Sequence, residues 1–181
     1  MGIIIFLVKT FNINEIINII ETALCNSPNF FSEPLSPLNP YNNQQLSHSA
    51  LYNIYFQSKL TTRVVPFFFH CYFLSNFNLH TFSETFESDI RQNAIHNFVF
   101  KSPYNVLFCY IVTMLEKNKY TKNLIIDLMF PKDLSVEIFR PFLFHYFMSK
   151  YYIKGTTKIY NSKIILDHKL KKFVEYNRTF G

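Results

Sequence analysis

Apolar residues recur with a helical period in two parts of the chain. Residues 12–24 carry them at the spacing of one helix face, and residues 104–117 do the same. The apolar positions are Ile13, Ile16, Ile17, Ile20 and Leu24 in the first segment, and Val106, Leu107, Tyr110, Ile111, Met114 and Leu115 in the second. Both segments are predicted to be amphipathic helices. The second closes on Lys117 and Lys119, and the negative end of a helix favours such cations.

Two later segments have the pattern of short β-strands. Residues 135–139 place alternate apolar side chains on one face, and residues 151–159 form a second candidate strand. Pro141 would confine the first strand to the edge or the end of a sheet, because proline cannot donate a hydrogen bond to a neighbouring strand. The connection between them, residues 140–150, is longer than a tight hairpin requires. It is a candidate insertion with contacts of its own.

The first hundred residues show little regular pattern beyond the first helix. Residues 26–49 contain four prolines among Asn and Ser, which is typical of a linker lying extended over a surface. Residues 51–100 are aromatic and carry no assigned chemistry. The predicted organisation is therefore an N-terminal extension, residues 1–100, followed by a domain of residues 101–181.

Several kinds of protein are disfavoured by what the chain lacks. Its longest apolar runs, residues 64–74, 106–115 and 138–148, are too short or too interrupted to span a membrane, although association with a membrane surface stays open. No targeting signal is recognisable at the N-terminus, as expected of a protein made inside an organelle. With three glycines there is no phosphate-binding loop, and the common hydrolase and metalloprotease motifs are missing.

The cysteines give no sign of a disulfide framework or a metal site. Cys25, Cys71 and Cys109 are an odd number without a CxxC pair. His70 and Cys71 are neighbours in an aromatic run, where packing in a core or an interface explains them better than metal binding or nucleophilic catalysis. The sequence predicts no metal, no cofactor and no enzymatic activity.

Composition and charge suggest a component of an assembly. The chain has 22 Phe, 12 Tyr and no Trp, and it is rich in residues with A+T-rich codons, which indicates an organellar gene. It is 49% apolar but only 17% charged. Residues 1–100 hold four basic and six acidic residues, a formal charge of −2, whereas residues 101–181 hold 14 and six, a charge of +8. Such asymmetry predicts contact with nucleic acid or another anionic surface, and a solvated basic face is the alternative.

The C-terminal segment combines cations with aromatic residues. Cations neutralise phosphates, and aromatic faces can stack on unpaired bases, so this pattern favours RNA binding. An apolar anchor, residues 164–170, followed by an ordinary basic tail explains the pattern equally well. The residues concerned are Lys163, Lys169, Lys171, Lys172 and Arg178 among the cations, and Phe173, Tyr176 and Phe180 among the aromatics.

Four ordered motifs in the C-terminal 81 residues resemble the universal small-subunit ribosomal protein nineteen family. The motifs are Lys101-Ser102-Pro103-Tyr104 before the predicted helix, Leu128-Met129-Phe130-Pro131 before the first strand, Tyr151-Tyr152-Ile153 at the second, and His168-Lys169-Leu170 with Phe173 and Arg178-Thr179-Phe180 at the end. The family has glycine in place of Ser102 and Asp167, and Gly-Glu in place of Lys171-Lys172. The loss of these glycines bears on loop geometry, while Lys172 in place of Glu makes the segment more basic.

The resemblance implies both a fold and a function. The fold would be α/β (α+β), a small domain whose N-terminal helix packs on a short, mainly antiparallel sheet, preceded by an irregular and partly helical extension. The protein would be a structural constituent of the small subunit of a mitochondrial ribosome and encoded in the organelle. It would bind ribosomal RNA in the subunit head, contact ribosomal protein thirteen and lie near tRNA. The implied RNA-binding residues are Lys101, Lys163, His168, Lys169, Lys171, Lys172 and Arg178, with Phe173, Tyr176 and Phe180 as candidates for base stacking.

Two other interpretations compete with this one. A membrane-associated accessory subunit of an organellar respiratory complex would account for the aromatic residues and the short apolar runs, but not for the ordered motifs or the +8 segment. A small enzyme could use His168 and Asp167 as acid and base. Because the two residues are adjacent in sequence, they are poorly placed to act on one substrate.

Substitution of the basic tail tests the predicted RNA contact. The triple variant Lys169→Ala, Lys171→Ala, Arg178→Ala should assemble poorly into the ribosomal subunit and should bind RNA with a weaker dependence on salt, because fewer counterions are released. Particle assembly and the salt dependence of RNA affinity are the measurements. Normal assembly together with the parental salt slope would exclude the tail as the RNA contact.

Overall fold

A computed structural model describes residues 13–61, 64–124, 126 and 130–177. In these ranges the backbone forms seven α-helices, a short 3-10 turn at Pro28–Phe30 and no β-strand. An isolated antiparallel bridge joins Leu38 to Gln45 in the proline-rich segment. The helices are α1 (Ile13–Leu24), α2 (His48–Leu60), α3 (Phe67–Leu74), α4 (Leu79–Lys101), α5 (Tyr104–Lys117), α6 (Lys132–Tyr151) and α7 (Thr157–Tyr176).

The two helices predicted from periodicity are confirmed. Helix α1 covers the predicted segment from Ile13 onwards, and α5 has the predicted limits, Tyr104–Lys117. Buried side chains follow the expected stripes: Ile16, Ile17, Ile20 and Leu24 in α1, and Leu107, Ile111, Met114 and Leu115 in α5. The aromatic segment, residues 51–100, contributes most of α2, all of α3 and nearly all of α4.

The predicted α/β fold with an antiparallel sheet is wrong. Residues 135–139 and the supposed connection, residues 140–150, both lie in α6, and residues 151–159 hold the end of α6, a turn and the start of α7. Alternation over five residues is too short to distinguish a strand from a helix, and the longer run shows the helical period. Its buried positions are Ser135, Val136, Phe139, Leu143, Phe147 and Met148. Residues 125 and 127–129, which include part of the motif before the predicted first strand, lie outside the described residues.

Pro141 lies inside α6, and the helix continues through it. The sequence pattern instead predicts that Pro141 limits a strand to the edge or the end of a sheet. Proline removes one backbone donor and usually ends or kinks a helix. Here Pro141 is exposed, while its neighbours Phe139 and Leu143 are fully buried. The burial of the apolar stripe on both sides of the proline offsets the lost hydrogen bond.

The chain forms two compact units, Met1–Ile90 and Arg91–Gly181. The division falls within α4, whereas the sequence suggested a boundary between residues 100 and 101. In the described part of the chain no single helix is long and apolar enough to cross a membrane. Helices α4 and α5 together meet the criterion of length and hydropathy, but they bend by 110° where they join.

Aromatic rings fill the core of the first unit. Tyr55 in α2 stacks on Phe73 in α3 with the ring centroids 3.9 Å apart, and it meets Phe69 edge to face at 5.7 Å. The Tyr55 hydroxyl lies 2.7 Å from Nδ1 of His70, so the polar atom of a buried ring is hydrogen-bonded. Cys71 is buried in the same cluster, and burial raises the pKa of its thiol to about 11. The packing role predicted for Cys71 is confirmed.

The start of α3 is held by a carboxylate from α1. Oε2 of Glu21 accepts a hydrogen bond from the backbone N–H of Phe69 at 3.0 Å, and Oε1 accepts a longer one from Phe68 at 3.4 Å. The residue at the cap position of α3, Pro66, supplies no side-chain cap. A negative group there satisfies unpaired N–H groups and interacts favourably with the positive end of the helix. Burial nevertheless raises the pKa of Glu21, against the lowering by these two hydrogen bonds.

In the second unit, α6 is the central helix. It packs against α5 on one side and α7 on the other. Arg140 in α6 donates to the backbone carbonyl of Val99 in α4 and to Oε1 of Glu137 at 2.8 Å. Arg91 donates to the carbonyl of Tyr151 at the end of α6, at 3.4 Å. These contacts satisfy backbone carbonyls at two helix ends and hold α6 against the last turns of α4.

The burial of Glu21 predicts a pH-dependent stability. Its pKa in the folded protein lies above the ordinary value of 4.5, so the folded state holds the proton more tightly than the unfolded state. The resulting stability is present below pH 4.5 and is lost as the pH rises through the raised pKa. Across this range the free energy of unfolding of Glu21→Gln should rise relative to wild type, by about 1.4 kcal/mol for each unit of pKa difference. Denaturant unfolding as a function of pH measures it.

Glu15→Gln removes an exposed carboxylate from the same helix and serves as the control. A difference between Glu21→Gln and wild type that stays constant with pH would contradict the assignment.

Candidate anion-binding surface

Most of the positive charge of the protein lies in the second unit. Arg91–Gly181 contains 15 basic and six acidic residues, a formal charge of +9, whereas Met1–Ile90 has a charge of −3. Six of the described lysines of the second unit form two exposed groups. One lies on the outer face of α7, and the other surrounds a cleft beside the end of α5.

Helix α7 has a narrow buried stripe and a broad exposed side. Ser162, Leu166 and Leu170, four residues apart, face the unit's interior. The exposed side, which we name the α7 outer face, consists of Tyr160, Ile164, His168, Lys171, Lys172 and Tyr176. Lys171 lies 3.8 Å from Oε1 of Glu175, but both side chains are about half exposed and the pair is weak. Cations on this side are therefore open to solvent and to a partner.

The second group of cations surrounds a cleft of about 560 Å³, which we name the lysine cleft. Lys117 comes from the last turn of α5, Lys119 from the following turn, Lys150 from the last turn of α6, and Lys163 from α7. Four exposed ammonium-bearing side chains from separate segments thus border one concave surface. The other lining residues are Met114, Asn118, Tyr146, Ser149, Leu166 and Asp167.

Asn118 joins the end of α5 to α7 across the lysine cleft. Its side-chain amide donates to Oδ1 of Asp167 at 2.7 Å, and its own Oδ1 accepts from the backbone N–H of Tyr120 at 3.0 Å. The hydroxyl of buried Thr121 donates to the carbonyl of Leu115 at 2.8 Å, and the same carbonyl accepts the backbone N–H of Asn118 at 3.3 Å at the end of α5. These bonds hold the turn that carries Lys117 and Lys119 against the helix that carries Lys163.

The lysines of the cleft have no carboxylate partner among the described residues. None of their ammonium groups lies within 4.0 Å of a carboxylate oxygen there. Asp167, the acidic residue among the described ones that line the cleft, accepts a hydrogen bond from Asn118. Hydrogen bonding with Tyr151 raises the pKa of Lys150 above its ordinary value of 10.5. The cleft is therefore able to attract a negatively charged ligand.

The residues predicted from sequence to bind RNA lie in several different places. Lys163 lines the lysine cleft, His168, Lys171, Lys172 and Tyr176 lie on the α7 outer face, and Lys101 is exposed in the last turn of α4. Tyr176 is 81% exposed, so its ring is accessible for stacking. Arg178 and Phe180 lie outside the described residues.

Two predicted residues turn towards the interior of the unit. The ring of Phe173 packs against Phe139 and Phe142, with centroid distances of 4.9 and 6.0 Å. Nζ of Lys169 lies 3.3 Å from Nε2 of His145, a half-buried side chain of α6. We leave both out of the candidate surface because their contacts are used in packing α7 on α6.

Sequence reasoning missed three of the four lysines of the cleft as binding residues. The sequence pattern indicates Lys117 and Lys119 only as cations at a helix end. It places Lys150 in the predicted connection between two strands. The helical positions of Lys117 and Lys150, each in a last turn, were a usable signal only once α6 was known to be a helix.

In the described residues there is no group of three or more His, Cys, Asp or Glu side chains that could hold a metal ion.

Comparisons with protein-family models, with curated proteins and with solved structures gave no match to this chain. In the part of the chain that the structure describes, the fold and the site define a helical protein whose second unit is strongly basic.

The contact between Lys169 and His145 predicts a measurable pKa change. Burial lowers the pKa of His145 from its ordinary value of 6.5, and the charge of Lys169 lowers it further. Lys169→Met should therefore raise the pKa of His145, as read from NMR titration of the imidazole. Because the folded pKa is lowered, His145 contributes stability above pH 6.5 that is lost as the pH falls below it. The variant should lose less stability over that range.

Lys171→Met removes an exposed lysine from the same helix and should leave the His145 titration unchanged. Equal titrations in Lys169→Met and wild type would show that Lys169 does not face His145.

Proposed function

We propose that the second unit binds RNA and that the protein is a structural component of a ribonucleoprotein particle, without enzymatic activity. The observation that carries this proposal is the concentration of solvent-exposed lysines on Arg91–Gly181, most of them without a carboxylate partner among the described residues. Clustered cations without carboxylate partners are costly in mutual repulsion, and a polyanionic partner relieves it. Phosphate contacts of this kind position a protein on RNA without reading its sequence.

The particle we propose is the small subunit of a mitochondrial ribosome. The order of the four sequence motifs supports it, together with the A+T-rich coding that the composition indicates. Lys101-Ser102-Pro103-Tyr104 runs from the last residue of α4 to the first residue of α5. His168-Lys169-Leu170, however, lies within α7, and the sheet that the resemblance implied is missing from the described residues. RNA binding does not depend on that sheet, because it needs only an exposed array of cations.

A second candidate function is that of an accessory subunit in an organellar membrane complex. Exposed apolar side chains of the first unit favour it: Val64 is 93% exposed, Leu60 84% and Leu74 61%. Side chains of this type are suited to burial against a protein or lipid partner. This candidate leaves the basic second unit unexplained, so it ranks behind RNA binding.

Sedimentation of organelle lysates in mild detergent separates the two candidates. The protein should migrate with a ribonucleoprotein particle, and RNase treatment should release it to the top of the gradient. Migration with a membrane complex that survives RNase would overturn the proposal and favour the second candidate.

Purified protein should also bind RNA with an affinity that falls steeply with salt. Replacing Lys171 and Lys172 with glutamine should reduce the slope of log affinity against log salt by about 2, one for each phosphate that is no longer neutralised. Lys59→Gln, on the first unit, is the control and should leave the slope unchanged. An unchanged slope in the double variant would remove the α7 outer face from the RNA contact.

A further inference from the structure

We infer that the lysine cleft binds two or more closely spaced phosphate groups. In this cleft Lys117, Lys119, Lys150 and Lys163 converge around one concave surface. The phosphates could belong to a sharply turned RNA backbone or to a free oligophosphate, because the two present the same chemistry to the lysines. The RNA source rests on the proposed function, and the oligophosphate source does not.

The charge balance of the cleft calls for more than one negative charge. Among the described residues, four lysines and one carboxylate, that of Asp167, line the cleft. The carboxyl-terminal ends of α5 and α6 each add roughly half a negative charge. Arg91 already donates to the carbonyl of Tyr151 at the end of α6, which reduces that contribution. Roughly two positive charges stay uncompensated, and two adjacent phosphodiesters supply the matching charge.

Stabilisation of helix ends explains only two of the four lysines that border the cleft. Lys117 and Lys150 lie in last turns, where a cation stabilises the helix. Lys163 is in the second turn of α7, near its amino-terminal end, where a cation gains nothing from the helix dipole. Lys119 lies beyond the end of α5. Helix stabilisation therefore does not explain why Lys119 and Lys163 lie beside Lys117 and Lys150. Binding of an anion explains it.

The shape of the cleft also suits a compact ligand. Its volume of about 560 Å³ is within the range of small-ligand sites. A concave surface lined mainly by cations concentrates the electrostatic field more than a flat surface does. Buried Met114 and Leu166 form part of its lining, and Asn118 holds the two sides together through Asp167. A ligand would therefore meet lysines whose supporting backbone is already in place.

Calorimetric titration of the full chain with inorganic tripolyphosphate, at constant ionic strength, tests the inference. The double variant Lys119→Gln, Lys163→Gln should bind at least about tenfold more weakly, because the loss of each charge-assisted hydrogen bond weakens binding substantially. The matched control, Lys132→Gln with Lys154→Gln, removes the same charge from two exposed lysines of the second unit that do not line the cleft, and it should keep its affinity within about twofold. No binding to wild type, or an equal loss in both double variants, would overturn the inference.

Asp167→Asn gives a test in which the expected result is tighter binding, which misfolding would not produce. It removes the negative side chain that lines the cleft among the described residues, while keeping an oxygen that can accept the hydrogen bond of Asn118. Tripolyphosphate should bind this variant several times more tightly than wild type, because attraction increases as the local negative charge is removed. Unchanged or weaker binding in a variant with wild-type helix content by circular dichroism would count against the cleft as the binding site.

Competition with a stem-loop RNA identifies the source of the phosphates. If RNA is the ligand, tripolyphosphate should displace the stem-loop, and the Lys119/Lys163 variant should bind it more weakly than wild type. If the cleft binds tripolyphosphate while RNA binding is unaffected by tripolyphosphate and by the Lys119/Lys163 substitutions, the cleft inference stands with a free oligophosphate as its ligand. If wild type binds no RNA at all but still binds tripolyphosphate, the proposed function fails while the cleft inference stands.

Discussion

The second unit depends on the burial of one apolar stripe along α6. Val136, Phe139, Leu143 and Phe147 are completely buried, and they lie along the middle of the helix. Helices α5 and α7 pack on this helix and not on a sheet. Truncation of any of these side chains would leave a cavity between the three helices and separate the surfaces that carry the lysines. The geometry of the lysine cleft is therefore a consequence of how α6 is packed.

Packing on α6 also decides which parts of the basic tail reach solvent. Along the chain, the cations and aromatic residues of the tail form one continuous pattern. In the structure, Lys169 and Phe173 face α6, Lys163 faces the cleft, and Lys171 and Lys172 lie on the α7 outer face. A helix turns each residue by about 100°, so neighbours in sequence serve different surfaces. RNA binding and core packing, which were alternatives for the tail as a whole, are assigned to different residues of one helix.

The aromatic composition has a structural role in the first unit. Tyr55, Phe69 and Phe73 contact one another, and the Glu21 carboxylate from α1 holds the start of the helix that carries two of them. Rings bury a large area per residue, so a short chain poor in alanine and glycine can build a core from few helices. The exposed aliphatic side chains of Leu60 and Val64 are not used by the unit's own core.

The sequence by itself determined the features that are local: the limits of α1 and α5, which follow from apolar periodicity, and the concentration of positive charge in the C-terminal part. It led to the wrong fold where the local signal was short. The alternation in residues 135–139 suits a strand and a helix equally, and Pro141 indicated the end of a strand. Only the tertiary structure decided the cleft, because Lys117, Lys150 and Lys163 are distant in sequence and meet only when α5 and α7 pack beside α6.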